Sequence, residues 1–193
     1  MTAARRILPV EPLTRVAFAP YGELIDPRGI EPETINAGTA QKYAHLAGVD
    51  IRGGGVSQVG ETAPLAPIAA IAIYRAQPRT LPMPLLEIER HPLGSQAFVP
   101  LQATRYLVVV AGHESVPAPG AVRLFLATGQ QGVNLHAGVW HHALLALDRE
   151  AEFLVVERAS PEGNLDRLVM ADWQLWVGER PGDDEATLLP ARD

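Results

Sequence analysis

Leu85-Leu86-Glu87-Ile88-Glu89-Arg90-His91-Pro92-Leu93-Gly94-Ser95-Gln96-Ala97-Phe98-Val99-Pro100-Leu101 reads as two extended segments joined by a Pro-Leu-Gly-Ser turn. Successive strand residues point to opposite faces, so residues 85–91 place Leu86 and Ile88 on one side and Glu87, Glu89 and His91 on the other. The second side is too polar for ordinary core, and is either a solvated sheet face or a site. Runs of the same kind recur at residues 69–76, 96–101, 105–112, 122–128, 140–147 and 152–158, cut apart by 17 Pro and 17 Gly. No regular helical pattern follows these runs, which disfavours a parallel α/β sheet and predicts an all-β protein, an antiparallel barrel or sandwich. One or two short peripheral helices are expected. Thr14 can cap a helix over residues 14–19 that Pro20-Tyr21-Gly22 would stop, and Trp173 and Trp176 suit a short helix or turn docked on the sheets.

With 193 residues, 47% of them hydrophobic, the chain has the size of one domain, expected over residues 1–177. Residues 178–193, rich in Pro, Gly and acidic groups, are expected to form a mobile tail. A net charge of −6 and a single lysine, Lys42, argue against nucleic acid and against a basic membrane anchor. Apolar runs end well before the roughly 18 residues a membrane span needs. Arg5-Arg6 is followed by no uninterrupted apolar stretch, so a secretory signal is not expected and a cytoplasmic location is. The absence of cysteine excludes disulfides, thiolate metal sites and thiol nucleophiles. A small molecule is the expected partner. Residues 52–67, with Gly53-Gly54-Gly55, read as a loop, because no phosphate-loop pattern accompanies the glycines.

The chemistry concentrates near the six histidines, four of which lie in two short segments. Glu89-Arg90-His91 with Gln96 resembles a degenerate first cupin motif, and His136-Ala137-Gly138-Val139-Trp140-His141 the second, with His in place of Pro. The resemblance implies a cupin-like antiparallel β-barrel of jelly-roll type, in which Glu89, His91, Gln96 and His141 converge as a divalent-metal ligand set. Imidazole and carboxylate suit such an ion, whereas the amide of Gln96 is a weak ligand. Because adjacent strand residues face opposite ways, only one of His141 and His142 can point inward, and motif spacing selects His141. Trp140 then reads as core, His142 as structural and His113 as a solvated turn residue.

Longer strings are more specific. Tyr74-Arg75-Ala76-Gln77-Pro78, residues 87–100 and residues 129–142 resemble the ureidoglycolate lyase family, formerly called ureidoglycolate hydrolases. Phe18-Ala19-Pro20-Tyr21-Gly22 and Ile35-Asn36-Ala37-Gly38 with Tyr43 extend the resemblance upstream, whereas Tyr43-Ala44-His45 sets His45 one place from the family's Tyr-His. It implies a lyase that splits (S)-ureidoglycolate into glyoxylate and urea in allantoin and purine catabolism, acting as a cytoplasmic homodimer with Ni as a stimulating ion. On this reading His91, His141, Glu89 and His136 are the catalytic candidates. The two central histidines either hold a divalent ion or act directly as base and acid, and Glu89 is a ligand or orients an imidazole. Arg75, Arg90, Gln96, Tyr43 and Asn36 are the substrate-binding candidates, the arginines because guanidinium matches a carboxylate. Strand alternation aims Arg90 away from Glu89 and His91. An amidohydrolase releasing ammonia and carbon dioxide, a non-catalytic carboxylate-binding module and a metal-dependent dioxygenase remain as competing readings.

Overall fold

The computed structural model describes residues 4–53, 67–160 and 163–182. Most of the expected glycine-rich loop and of the expected tail lies outside these residues. Within the described chain, the all-β expectation holds: seventeen strands make two large sheets, a three-stranded sheet and a hairpin, with one short α-helix.

The organising strand is Tyr106–Ala111, six residues buried on both faces. It pairs antiparallel with Arg123–Ala127, Trp140–His141 and Leu145–Ala146, and the sheet extends through Glu87–Arg90 to Asp166–Val169 on one side and to Val10–Pro12 on the other. The five-stranded sheet runs Gly22–Ile25, Gly132–Leu135, Gln96–Pro100, Ala151–Ala159, Ile68–Ala76. The two sheets stay separate ladders rather than one closed ring of strand pairs, and they enclose a core that draws Phe98, Val133, Phe153 and Val155 from one and Tyr106, Val108, Val110 and Phe125 from the other. Behind the larger sheet a second core joins Ile88, Leu107, Val109, Leu124 and Trp140 to Leu8, Leu175 and Val177 of the three-stranded sheet. This double covering explains why residues 106–111 read as an unbroken apolar run instead of alternating.

Two local findings refine the predicted elements. The strand expected over residues 140–147 divides: Val110 faces His141 and Leu107 faces Leu145, so four residue steps on one strand oppose three on its neighbour. That extra residue is a β-bulge, and it returns Ala146 to the inner face after His141. Leu85 rather than Leu86 is buried (1% against 54% exposed), because regular pairing starts only at Glu87 and the backbone before it turns to meet Leu175. The helix Arg15–Phe18 forms as expected, with the Thr14 side chain accepting from the Ala17 amide at 3.2 Å. Trp173 closes a one-turn 3-10 helix, and Trp176 lies in the strand Leu175–Val177 beneath the Arg5 guanidinium. Of the expected tail, Pro181 is buried and its carbonyl accepts from Arg105 at 3.2 Å.

Candidate metal and acid–base site

Pairing across the larger sheet sets Glu89 directly opposite His141, so both side chains project from the inner face at the same level. His91 follows two residues after Glu89 on that face, and its ring lies 5.3 Å from that of His141. One ligand atom each from Glu89, His91 and His141 falls within 4.8 Å of the others.

Backbone carbonyls decide the tautomers. His91 Nδ1 contacts Asn164 O at 2.7 Å and His141 Nδ1 contacts Val139 O at 3.1 Å. A carbonyl only accepts, so each Nδ1 carries a hydrogen, and Nε2 is the lone-pair position of the neutral ring. Both Nε2 atoms are buried without a hydrogen-bond partner, and Glu89 Oε1 stands 4.0 Å from that of His141. Burial lowers the His141 pKa to about 4, helped by the charges of His91 and His142. Its imidazole is therefore neutral at physiological pH, with a lone pair at the site and no proton there to give. Orphaned, convergent ring nitrogens beside a carboxylate, each imidazole oriented by a carbonyl, fit a divalent cation.

The cluster opens into a cavity of about 390 Å³ lined on the far side by Tyr74, Gln96, Phe98 and Glu157 of the five-stranded sheet and by Ala143 and Leu144 from the bulge. A neighbouring cavity of about 290 Å³ shares His91, Gln96, Glu157 and Leu165 with it. Gln96 Nε2 donates to Glu157 Oε2 at 2.8 Å, and the Tyr74 hydroxyl donates to Glu157 Oε1 at 3.0 Å. Burial first, then the Glu157 and Glu89 carboxylates, push the Tyr74 phenol up to about 12, so it keeps its proton at neutral pH.

The structure brings together Glu89, His91, Gln96 and His141, with Arg75 at the cavity rim, where its guanidinium pairs with Glu152 at 2.7 Å and Glu150 at 3.4 Å. Four other candidates stand elsewhere. Arg90 turns away, as alternation requires, to pair with Asp166 at 2.8 Å and stack on Trp140. His136 leaves the strand Gly132–Leu135 toward Glu23, 3.3 Å away, and stacks on His113. Asn36 and Tyr43 lie on and beside the small hairpin Glu33–Ile35 and Ala40–Lys42, where Tyr43 bonds Gln41 and Asn36 caps a turn through its carbonyl to Thr39. None of these four lines the cavity. Glu157 escapes the motif reading although period two exposes it, since Phe153, Val155 and Glu157 share one face of their strand. Asn164, which orients His91 and also accepts from the Leu93 amide, lies outside any periodic segment and leaves no comparable signal.

Fold and site together define a two-sheet β protein whose inner face carries a dihistidine–carboxylate cluster at the edge of a small-molecule cavity. A family model described as ureidoglycolate lyase matches residues 5–177. Relatives named ureidoglycolate lyase include those of Pseudomonas paraeruginosa (45% identical, covering 83% of this chain and 89% of the relative), Stutzerimonas stutzeri (43%, 88% and 93%) and Brucella melitensis biotype 2 (43%, 86% and 91%). The chain belongs to the ureidoglycolate lyase family.

Proposed function

We propose that the protein is a ureidoglycolate lyase, a carbon–nitrogen lyase that divides (S)-ureidoglycolate into glyoxylate and urea in the cytoplasm during allantoin catabolism. The observation that carries the reading is the pair of buried, unpartnered Nε2 atoms close to Glu89, set in a cavity of a chain that belongs to this family.

The reaction needs no water. A base removes the hydroxyl proton from the hemiaminal carbon, the oxygen's electron pair forms the aldehyde C=O, and the C–N bond breaks toward nitrogen. An acid then protonates the departing urea nitrogen. The neutral His141 imidazole and Glu89 supply acceptors for the hydroxyl proton. Because His141 carries no proton at Nε2, it serves as acceptor or metal ligand rather than acid. Glu89, having taken the hydroxyl proton, can return it to the departing nitrogen, while Tyr74, protonated and on the opposite wall, keeps its single hydrogen on Glu157. Arg75 at the rim offers a guanidinium for the substrate carboxylate as it enters. Glu89, His91 and His141 are the residues that would hold a divalent ion, with Ni the proposed one; such an ion would polarise the hydroxyl and carboxylate oxygens.

The same reading includes a homodimer. The edge strand Ile68–Ala76 exposes Ile71 and Ile73 on the face turned away from the core, and a second copy of the chain is the proposed cover for this apolar strip. Light scattering at micromolar concentration gives twice the chain mass if so.

Purified protein incubated with racemic ureidoglycolate, with and without Ni, tests the function by assay of glyoxylate, urea and ammonia. Glyoxylate and urea in equal amounts are expected. Ammonia in place of urea would establish the amidohydrolase, and tight binding without turnover the non-catalytic module.

A further inference from the structure

The wall facing the histidine cluster consists of hydrogen-bond acceptors held in place. Glu157 is fixed from two sides: Gln96 Nε2 donates to one oxygen and the Tyr74 hydroxyl to the other. A carboxylate only accepts, so the Gln96 amide must turn its nitrogen toward Glu157 and its oxygen away. That oxygen, Gln96 Oε1, is buried and has no partner. Gln96 itself is 5% exposed, and together with Glu157 it lines both adjoining cavities. A buried acceptor left empty costs free energy unless a ligand's donor fills it. Glu157 retains further lone pairs, since each carboxylate oxygen can accept more than one bond.

We propose that Glu157 and Gln96 Oε1 form the subsite that recognises the ureido group, accepting hydrogen bonds from its N–H donors. A ureido group presents three N–H bonds in one plane, two on the terminal nitrogen and one on the internal nitrogen, and it is the donor-rich end of the proposed substrate. The hydroxyl and carboxylate are the oxygen-bearing end, and they match the Glu89–His91–His141 side. The substrate is thereby oriented across the cavity, oxygen end to one sheet and ureido end to the other, with the C–N bond between them. This assignment rests on the lyase reading and adds the residues that select a urea-releasing substrate over other hemiaminals. Tyr74 acts here as a positioning residue for Glu157.

The test compares ureidoglycolate with N-acetyl-α-hydroxyglycine, in which a methyl group replaces the terminal NH2, in the wild type and in Glu157→Gln and Gln96→Leu variants. Glyoxylate release from each substrate gives kcat/KM, and the ratio of the two is the readout. The wild type is expected to favour ureidoglycolate by about 100-fold or more, because a site built around hydrogen bonds rejects an analogue that leaves its buried acceptors unpaired. Both variants are expected to bring the ratio within about tenfold of unity, and to weaken inhibition by product urea while leaving inhibition by oxalate, a mimic of the oxygen end, within about threefold. Circular dichroism and oxalate inhibition establish that each variant is folded with an intact histidine side. An unchanged ratio in both folded variants would overturn the subsite. A wild type that turns over neither substrate would overturn the lyase reading instead; urea and oxalate binding, measured directly by calorimetry in wild type and Glu157→Gln, would still decide the subsite, with an equal urea affinity in the two proteins counting against it.

Discussion

The chain builds two clusters from the same parts, each with two imidazoles and one glutamate, and they come to opposite ends. His91, His141 and Glu89 sit between the sheets, with His141 buried and both free nitrogens lacking partners. His113, His136 and Glu23 sit outside, with the His136 and Glu23 side chains 39% and 38% exposed and 3.3 Å apart. In the first cluster backbone carbonyls fix the ring tautomers and burial keeps His141 neutral. In the second, the rings stack 6.5 Å apart within reach of water. Residue type makes a cluster possible, and burial with oriented second partners makes it a site.

The sharpest way to break this contrast is alanine substitution in both clusters. His91→Ala and His141→Ala should each lower kcat/KM for ureidoglycolate by roughly 10²–10⁴-fold, the range for loss of a proton-transfer group. His113→Ala and His136→Ala should stay within about threefold, as expected for exposed groups. Equal losses in the two clusters would erase the distinction.

Metal binding sharpens it further. Dialysis against a chelator should depress activity, and Ni at a hundred times its dissociation constant should stabilise the folded wild type by about 2.7 kcal/mol, read as a rise in Tm. His141→Ala should lose that rise and His136→Ala should keep it. An unchanged Tm in the wild type would leave direct acid–base action by the cluster.

The pH dependence of stability separates the clusters next. The folded pKa of His141, about 4, lies below the ordinary value of 6.5, so the unfolded chain binds the proton more tightly. Its contribution to stability is complete above pH 6.5 and is lost as pH falls toward 4. Between pH 7 and pH 5 the metal-free wild type should lose about 2 kcal/mol through this group, and His141→Leu should lack that part of the slope in urea unfolding. Burial moves His142 in the same direction and adds to the background slope of both proteins.

The smallest effect belongs to the outer pair. Glu23→Gln should change stability by less than about 1 kcal/mol through its contact with His136, since exposed ion pairs contribute little. A larger loss would be assigned to the bond from Asn134 Nδ2 to Glu23 at 2.8 Å, which Glu23→Asp and Asn134→Asp variants would distinguish.

Much of this was legible one residue at a time. Alternation in residues 87–91 put Glu89 and His91 on one face, and motif spacing chose His141 over His142, which is the side chain that faces the cavity. The strands that escaped the pattern, among them Arg6–Leu8, Val10–Pro12 and Leu175–Val177, are three residues long, too short for any period to declare itself. By sequence His136 is a catalytic candidate because it opens the motif string that ends at the ligand position His141. The turn at Gly138, with its φ of +85°, lies between them and sends the two side chains to different parts of the molecule.

The sequence alone determined the all-β class, the polar inner face of the strand Glu87–Arg90 and the family, because side-chain alternation and long matched strings are properties of the chain itself. Only the tertiary structure decided that Glu157 and Tyr74 complete the cavity, that Asn164 and Val139 set the imidazole tautomers, and that Arg90 and His136 stand apart from it. Those outcomes depend on which strands lie opposite across the two sheets and which carbonyls the loops deliver. Apart from Val139, two residues from His141, these partners meet across more than sixty residues and leave no local pattern to read.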